Sequence, residues 1–277
     1  MKLFRGGTRP NLIGGLFGWI WLAIAVVPIY YIIVTSLRSQ ADYYVENPLS
    51  LPSNPTLDAY IQVFANDFWT YFLNSVIVTV ATVAAILVVS FMAAYVIVRS
   101  RTAFSKRIFS LFLLGIAIPI QATIVPVYYL IVQLGLYDTL WALILPSVAF
   151  AIPISVLILT NFLRDVPREL FESMKVDGAT DWQMLWRLAA PMCRPALVTV
   201  AIYDALNVWN GFLFPLVLTQ SANKRVLPLS LWNFQGAFSS NTPAILAAVV
   251  LSALPLIVAY AFGRRQMVAG LTAGVGK

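Results

Sequence analysis

Histidine is absent from this sequence. That removes the commonest proton-transfer group near neutral pH and the commonest metal ligand. Cysteine is nearly absent: Cys193 stands alone, which excludes an intrachain disulfide and leaves no thiolate cluster for a metal. Charge is scarce as well. Asp, Glu, Lys and Arg make up 10% of the chain, against roughly 25% in a soluble domain. The carboxylates are scattered without metal-ligand spacing, and no nucleophile–base constellation is visible, so neither a metal site nor a membrane enzyme is indicated. Gly276-Lys277 resembles the end of a phosphate-binding loop. Leu271 stands where that loop requires its first glycine, so this chain is not expected to bind ATP and magnesium or hydrolyse ATP by itself.

What the chain has in place of charge is apolar length. It is 60% hydrophobic with a mean hydropathy of +0.84. Six runs are long enough to span a bilayer, for which about 20 residues suffice. They lie at about 14–37, 73–98, 108–134, 139–163, 195–219 and 243–263. Backbone in lipid must bond to itself, so the expectation is an all-α membrane protein of six transmembrane helices, read as one domain over 1–277. With the N-terminus inside, fifteen of the 18 Lys and Arg fall in inside segments, and only Arg38, Lys224 and Arg225 lie outside. This bias places both termini in the cytoplasm of a multi-pass cell-membrane protein. It also explains the net charge of +7 as a basic inner membrane face, with no nucleic-acid partner implied. The first run is too long for a signal-peptide core and lacks a small-residue cleavage site, so it reads as a retained helix.

The inside segment 164–194 differs from its surroundings. Arg164, Arg168, Lys175, Arg187 and Arg194 are balanced by Asp165, Glu169, Glu172, Asp177 and Asp181. A loop built only for anionic lipid would be mostly basic; mixed charge suits a protein partner. Pro167 and Glu169 mark a helix start, and Pro167, Leu170, Phe171 and Met174 share one face. Gly178 turns the chain. Thr180 and Gln183 have the capping-box spacing for a second helix, with Trp182, Leu185, Trp186 and Ala189 as its apolar stripe and Pro191 as its end. Outside, Asn47-Pro48, Pro52 and Asn54-Pro55 break residues 38–72 into turns, and Thr56 to Phe64 reads as a short surface helix.

Asp204 is the only charge within a run, and a buried ionisable group in a membrane marks function by default. With Asn207 and Asn210 it forms a polar stripe within about 60° of one helix face. Pathway lining and interhelical hydrogen bonding both fit that stripe. Amides and carboxylates suit sugar hydroxyls, which donate and accept. Trp209 and Phe212 offer rings for stacking on a sugar or for packing. Gln121, between Pro119 and Pro126, is a further pathway candidate. Asn74-Ser75 reads as a helix start.

Within 164–194, Glu172, Gly178 and Pro191 have the spacing of the EAA loop of binding-protein-dependent ATP-binding cassette importers, and Asp177-Gly178-Ala179-Thr180 matches it strongly. Ser173 and Met174 depart from the two alanines of that motif. Trp209-Asn210 with Phe212, and Pro215-Leu216, resemble the fifth-helix signature of carbohydrate-type permeases. Val268 to Gly274 resembles the C-terminus of the maltose-transporter-type second permease, and Asn47-Pro48 with Pro52 and Tyr60 its first outside loop. The resemblance covers nearly the whole chain. It implies an importer-type permease fold in which Glu172, Ser173, Met174, Asp177, Gly178, Ala179 and Thr180 form a coupling helix seated on an ATPase subunit. The tail around Gly270, Leu271, Thr272 and Gly274 would also reach the ATPase dimer. The implied partners are a second homologous permease, two ATPase subunits that hold ATP and magnesium, and an extracytoplasmic sugar-binding protein. The implied function is uptake of a sugar, a di- or oligosaccharide. A polyol or glycerol-phosphate importer is the alternative within that class. Phosphate favours cationic pathway residues, and the runs contain no Lys or Arg. An ion-coupled secondary transporter would bury more charges than one.

Overall fold

The computed structural model describes residues 12–100, 102–235 and 240–273, with side chains for 14–100, 102–235 and 240–261. Among these residues no strand forms beyond an isolated bridge between Gln235 and Ser240. The helices follow the apolar runs: α1 (Leu12–Ser36), α4 (Phe68–Ser100), α5 (Ala103–Ile116), α6 (Ile124–Gln133), α7 (Trp141–Arg164), α11 (Arg194–Trp209), α12 (Leu213–Leu218) and α14 (Thr242–Ala273). Between them lie the short helices α2 (Gln40–Val45), α3 (Asp58–Ala65), α8 (Arg168–Val176), α9 (Asp181–Met184), α10 (Ala190–Met192) and α13 (Leu227–Ser230). The 33 residues of α4 extend for about 50 Å at the standard helical rise.

Four helical stretches are long and apolar enough to cross a membrane: Gly14–Ser36, Phe68–Ser100, Trp141–Arg164 and Thr242–Ala261. Two bent pairs raise the number to six if each counts as one span. In one, α5 meets Ile120–Gln133 at 94°; in the other, Asp181–Met192 meets α11 at 77°. The runs 108–134 and 195–219 are therefore not the continuous helices that hydropathy alone suggested. Pro119 interrupts the first, because it has no N–H and disfavours a helical Ile118. The second stops at Trp209 and resumes at Leu213. There Pro215 cannot donate to the carbonyl four residues back, and Asn210 and Gly211 are weak helix formers. Hydropathy senses neither break, since the residues around each are mostly apolar.

Two compact units make up the chain: residues up to 66 with 231–251, and residues 67–230 with 252–277. In the first unit a polar staple organises the loop after α1. Arg38 is 1% exposed. Its Nη2 donates to the Asn47 and Ser50 carbonyls, and its Nε stands 3.2 Å from Glu46 Oε2. That last contact is an ion pair without hydrogen-bond alignment. The expected surface helix forms as α3, with Ala59 and Val63 buried and Ile61 exposed.

In the second unit α4 packs along α7 and α11. Gly115 lets α5 approach α7 closely: a Cβ there would lie 3.0 Å from Pro153 Cγ. Two apolar cores result. One gathers Ile86, Phe91, Ala94, Leu159 and Leu163 with residues of the 164–194 segment. The other gathers Val78, Ile131, Leu143, Phe214 and Leu218. Many large apolar side chains remain outside both, among them Val80, Leu111, Leu114 and Val125. A bilayer accommodates such a surface without penalty; water does not.

Arg38→Ala would leave the Glu46 carboxylate and two carbonyls without their cation. Breaking a buried pair in this way costs about 3 kcal/mol or more. The expected outcome is a lower unfolding temperature in detergent and faster proteolysis within residues 40–57; wild-type behaviour in both would refute the staple.

Candidate functional site

The charge-mixed segment folds as its local signals require. Pro167 precedes α8, with Glu169 in the first turn and Lys175 in the last, each complementing the helix dipole. Gly178 adopts φ +81°. Its N–H donates to Lys175 O at 3.1 Å and the Ala179 N–H to Met174 O at 2.9 Å, the double bond of a Schellman ending. Thr180 then caps α9: its Oγ1 accepts from Gln183 N at 3.3 Å, and Gln183 Oε1 accepts from Thr180 N at 2.9 Å. Past α9 the expected α-helical stripe gives way to a π-helical turn over Leu185–Ala189. The extra residue per turn shifts the register. Met184, Leu185 and Ala189 are buried, while Trp182 and Trp186 stand 59% and 38% exposed. The helix also passes Pro191 by one residue and breaks at Cys193.

Phe171 is the seat of the segment. It is 2% exposed, its ring lies 6.2 Å from that of Tyr95, and the Arg99 guanidinium sits 4.4 Å above its centre. Phe171, Met184, Leu185, Ala189 and Cys193 share one core with Ile86, Ala94, Leu159 and Leu163 of α4 and α7. Half-buried Met174 packs against the same core, and Ser173 donates its hydroxyl to Leu170 O within α8. The opposite face presents Glu172, Lys175 and Asp177 around Val176, which is 88% exposed. Of the face expected from spacing, Phe171 and Met174 turn inward, while Pro167 and Leu170 remain exposed.

A second feature lies between α4, α7, α11 and α12. It is a cavity of about 340 Å³ with Ser75, Thr79, Ser147, Asp204, Asn207 and Phe212 among its lining residues. Asp204 is 1% exposed, and its Oδ2 accepts from Ser155 Oγ of α7 at 2.9 Å. The Thr79 hydroxyl has no partner among the described residues. Asn207 donates to Tyr203 O at 2.8 Å, leaving its amide oxygen for other partners. The structure thus brings Asp204, Asn207 and Phe212 of the expected pathway set to one cavity. Asn210 is exposed and bonds back to Leu206 O. Trp209 is buried, with its indole N–H on Ser252 O at 3.0 Å and its ring against Phe72. Gln121 is exposed beside Ile120, and Ile120 rather than Gln121 lines the cavity. Sequence reasoning did not single out Ser155, Thr79 or Ser147; hydroxyls within apolar helices commonly bond to their own backbone and carry no distinguishing signal. Asn74 and Ser75 lie inside α4 rather than at its start.

Gly270, Leu271 and Thr272 fall in the last turns of α14, where side chains are outside the described residues, and Gly274 lies outside them altogether. Among the described residues no three His, Cys, Asp or Glu side chains come together as a metal site.

Residues 86–267 match the family described as binding-protein-dependent transport system inner membrane component. The chain is 32% identical over 274 residues to the trehalose transport system permease protein SugB of Mycobacterium tuberculosis, covering 98% of this chain and 99% of that one. It is 30% identical over 258 residues to the diacetylchitobiose uptake system permease protein NgcG of Streptomyces coelicolor, covering 92% and 85%. Its fold superposes with a TM-score of 0.79 and 22% identity on a chain of a bacterial ABC transporter that imports the acidic polysaccharide alginate, covering 96% and 99%.

Phe171→Ala would empty the seat. Aromatic-to-alanine changes in a core cost about 3–5 kcal/mol, so protease sites in 164–194 are expected to open in the purified protein. Gly178→Val would force a β-branched residue to φ +81°, at about 1–3 kcal/mol, with a smaller loss of protection confined to 177–183. Equal protection in both variants and the wild type would contradict the seating.

Proposed function

This chain belongs to the binding-protein-dependent transport system inner membrane component family, and on that premise we propose that it is a permease subunit of an ABC importer for a sugar. The observation that carries the reading is the seated 164–194 segment. Its apolar face is built into the ends of α4 and α7, and Glu172, Lys175 and Asp177 on its opposite face are exposed. Such a segment transmits a push on α8 to the long helices through packed side chains rather than through a flexible loop. Glu172 to Thr180 is then the contact with an ATPase subunit, which supplies the ATP hydrolysis. A second permease completes the pathway, and an external binding protein delivers the substrate. The positive-inside bias supports six spans, with the bent helix pairs adapting two of them, and both termini and the 164–194 segment on the cytoplasmic side.

Oligosaccharide relatives at 30–32% identity over most of the chain support a di- or oligosaccharide. So does the cavity: among mostly apolar lining residues its polar members are a carboxyl, an amide and hydroxyls, with no Lys or Arg. Sugar hydroxyls need partners that donate and accept, whereas a phosphate ester calls for cations. In this reading Asn207, Phe212 and the Thr79 hydroxyl face the substrate path, and Asp204 holds the α7–α11 wall through Ser155.

Two tests follow. Co-expressed with the neighbouring ATPase and second permease, the Glu172→Lys variant is expected to stay in the membrane but to lose co-purification with the ATPase; undiminished co-purification would refute the docking face. In proteoliposomes loaded with ATP, Asn207→Ala is expected to slow uptake of trehalose or diacetylchitobiose several-fold at unchanged complex yield. That corresponds to one hydrogen bond of about 0.5–1.5 kcal/mol. Uptake equal to wild type at every sugar concentration would remove the cavity from the path.

A further inference from the structure

Residues 218–227 follow α12 and belong to no long helix, yet three polar side chains from distant parts of the second unit hold their backbone. Asp138, in the turn before α7, adopts φ +58°. Its N–H donates to Leu218 O at 3.0 Å. Its Oδ1 accepts from Gln220 N at 2.8 Å and Ser221 N at 3.0 Å, and its Oδ2 accepts from the Ser221 hydroxyl. Asn74, in the first third of α4, donates from Nδ2 to Asn223 O at 2.9 Å and to Arg225 O at 2.8 Å. Ser75 Oγ accepts from Leu227 N at 2.9 Å. Asn74 and Ser75 are 8% and 3% exposed, so these bonds are shielded from competing water. The Ser221 hydroxyl and the Gln220 amide, with a smaller contribution from Lys224, hold the Asp138 carboxyl below the usual carboxylate range. It is therefore charged at neutral pH.

The segment so held borders the cavity. Val226 lines it together with Ser75 and with Phe214 and Pro215 of α12. On the proposed topology this is its outer end, where substrate enters. We propose that Asn74, Ser75 and Asp138 form a three-point clamp that fixes residues 218–227 as a rigid outer rim of the cavity, joining the loop before α7, the outer end of α4 and the segment between α12 and α13 into one body. They are positioning residues and do not touch the sugar. A force applied to residues 218–227 from outside then reaches α4 and α7 directly instead of being absorbed by bending of the rim. The transport role of the clamp rests on the importer reading; its existence does not.

The experiment has two arms. In the first, hydrogen exchange is measured on the purified permease complex in nanodiscs, with no binding protein present. The amides of Gln220, Ser221 and Leu227 are expected to be protected in the wild type. Gln220 and Ser221 should lose protection in Asp138→Ala and regain it in Asp138→Asn, whose amide oxygen still accepts. Unchanged protection in Asp138→Ala, and in Asn74→Ala as an independent variant, overturns the clamp. In the second arm, ATP-driven uptake is titrated with sugar-loaded binding protein. Asp138→Ala is expected to raise the half-saturating concentration of binding protein about 3- to 10-fold, the equivalent of one or two weak hydrogen bonds, with the maximal rate changed less than about twofold and Asp138→Asn near wild type. A merely structural tie would lower maximal rate and complex yield together, and that pattern overturns the positioning role. If no sugar-loaded binding protein stimulates the wild type, the importer reading fails, and the exchange arm still decides the clamp.

Discussion

The burial of Phe171 beneath Arg99 and beside Tyr95 is the contact on which the architecture of the second unit turns. A charge-mixed nine-residue helix is too short to persist alone in water. Its stability has to come from packing one face onto something larger. An apolar core supplies that surface, in which Phe171 is gathered with Ile86 and Ala94 from α4 and Leu159 and Leu163 from α7. Because protein interiors are close-packed, such a seat has few intermediate positions: it moves as a body or it breaks. That property suits the segment to pass a displacement on to α4 and α7 as one body.

The two ends of the second unit solve different problems with different forces. At the 164–194 end the segment is held by apolar contacts, with its hydrogen bonds satisfied locally by a Schellman ending and a capping box. At the other end the connecting segment 218–227 has little helix of its own, and its backbone groups are satisfied by Asp138, Asn74 and Ser75. Unpaired backbone groups next to an apolar core cost as much as a lost hydrogen bond each. The amide of Asn74 and the carboxylate of Asp138 offset that cost. Between the two ends, Asp204 and Ser155 join α11 to α7 in a region that is mostly apolar. A carboxyl in such a place needs a donor, and the Ser155 hydroxyl is the one it finds.

Much of this was legible from residues. The apolar runs located the long helices, and Pro167, Gly178, Thr180 and Gln183 located the start, turn and cap of the 164–194 segment, because each of those signals acts within four or five residues. The register of the second helix in that segment was not legible. Its π-helical turn moves Trp182 and Trp186 outward and Met184 inward, and a π-turn is a response to packing rather than a property of the residues that form it. The breaks at Pro119 and at Asn210–Phe212 were masked for a related reason: hydropathy averages over a window in which apolar side chains outweigh the few polar ones. In the candidate pathway, a 3.6-residue period placed Asn207 and Asn210 near one face. The structure gave only Asn207 to the cavity, because α11 ends at Trp209 and Asn210, its C-cap, turns its amide back onto Leu206 O.

The sequence alone determined the solvent, the helical class, the uneven distribution of Lys and Arg between the apolar runs, and the grammar of the 164–194 segment, since lipid burial, backbone hydrogen bonding and capping are rules about neighbours in the chain. The family resemblance rested on the same local patterns. Tertiary structure alone decided which polar residues meet. Asp204 pairs with Ser155 across 49 positions, Asn74 with Asn223 across 149, and Asp138 with Gln220 across 82. No local rule connects residues so far apart, because their encounter depends on the summed packing of every helix between them.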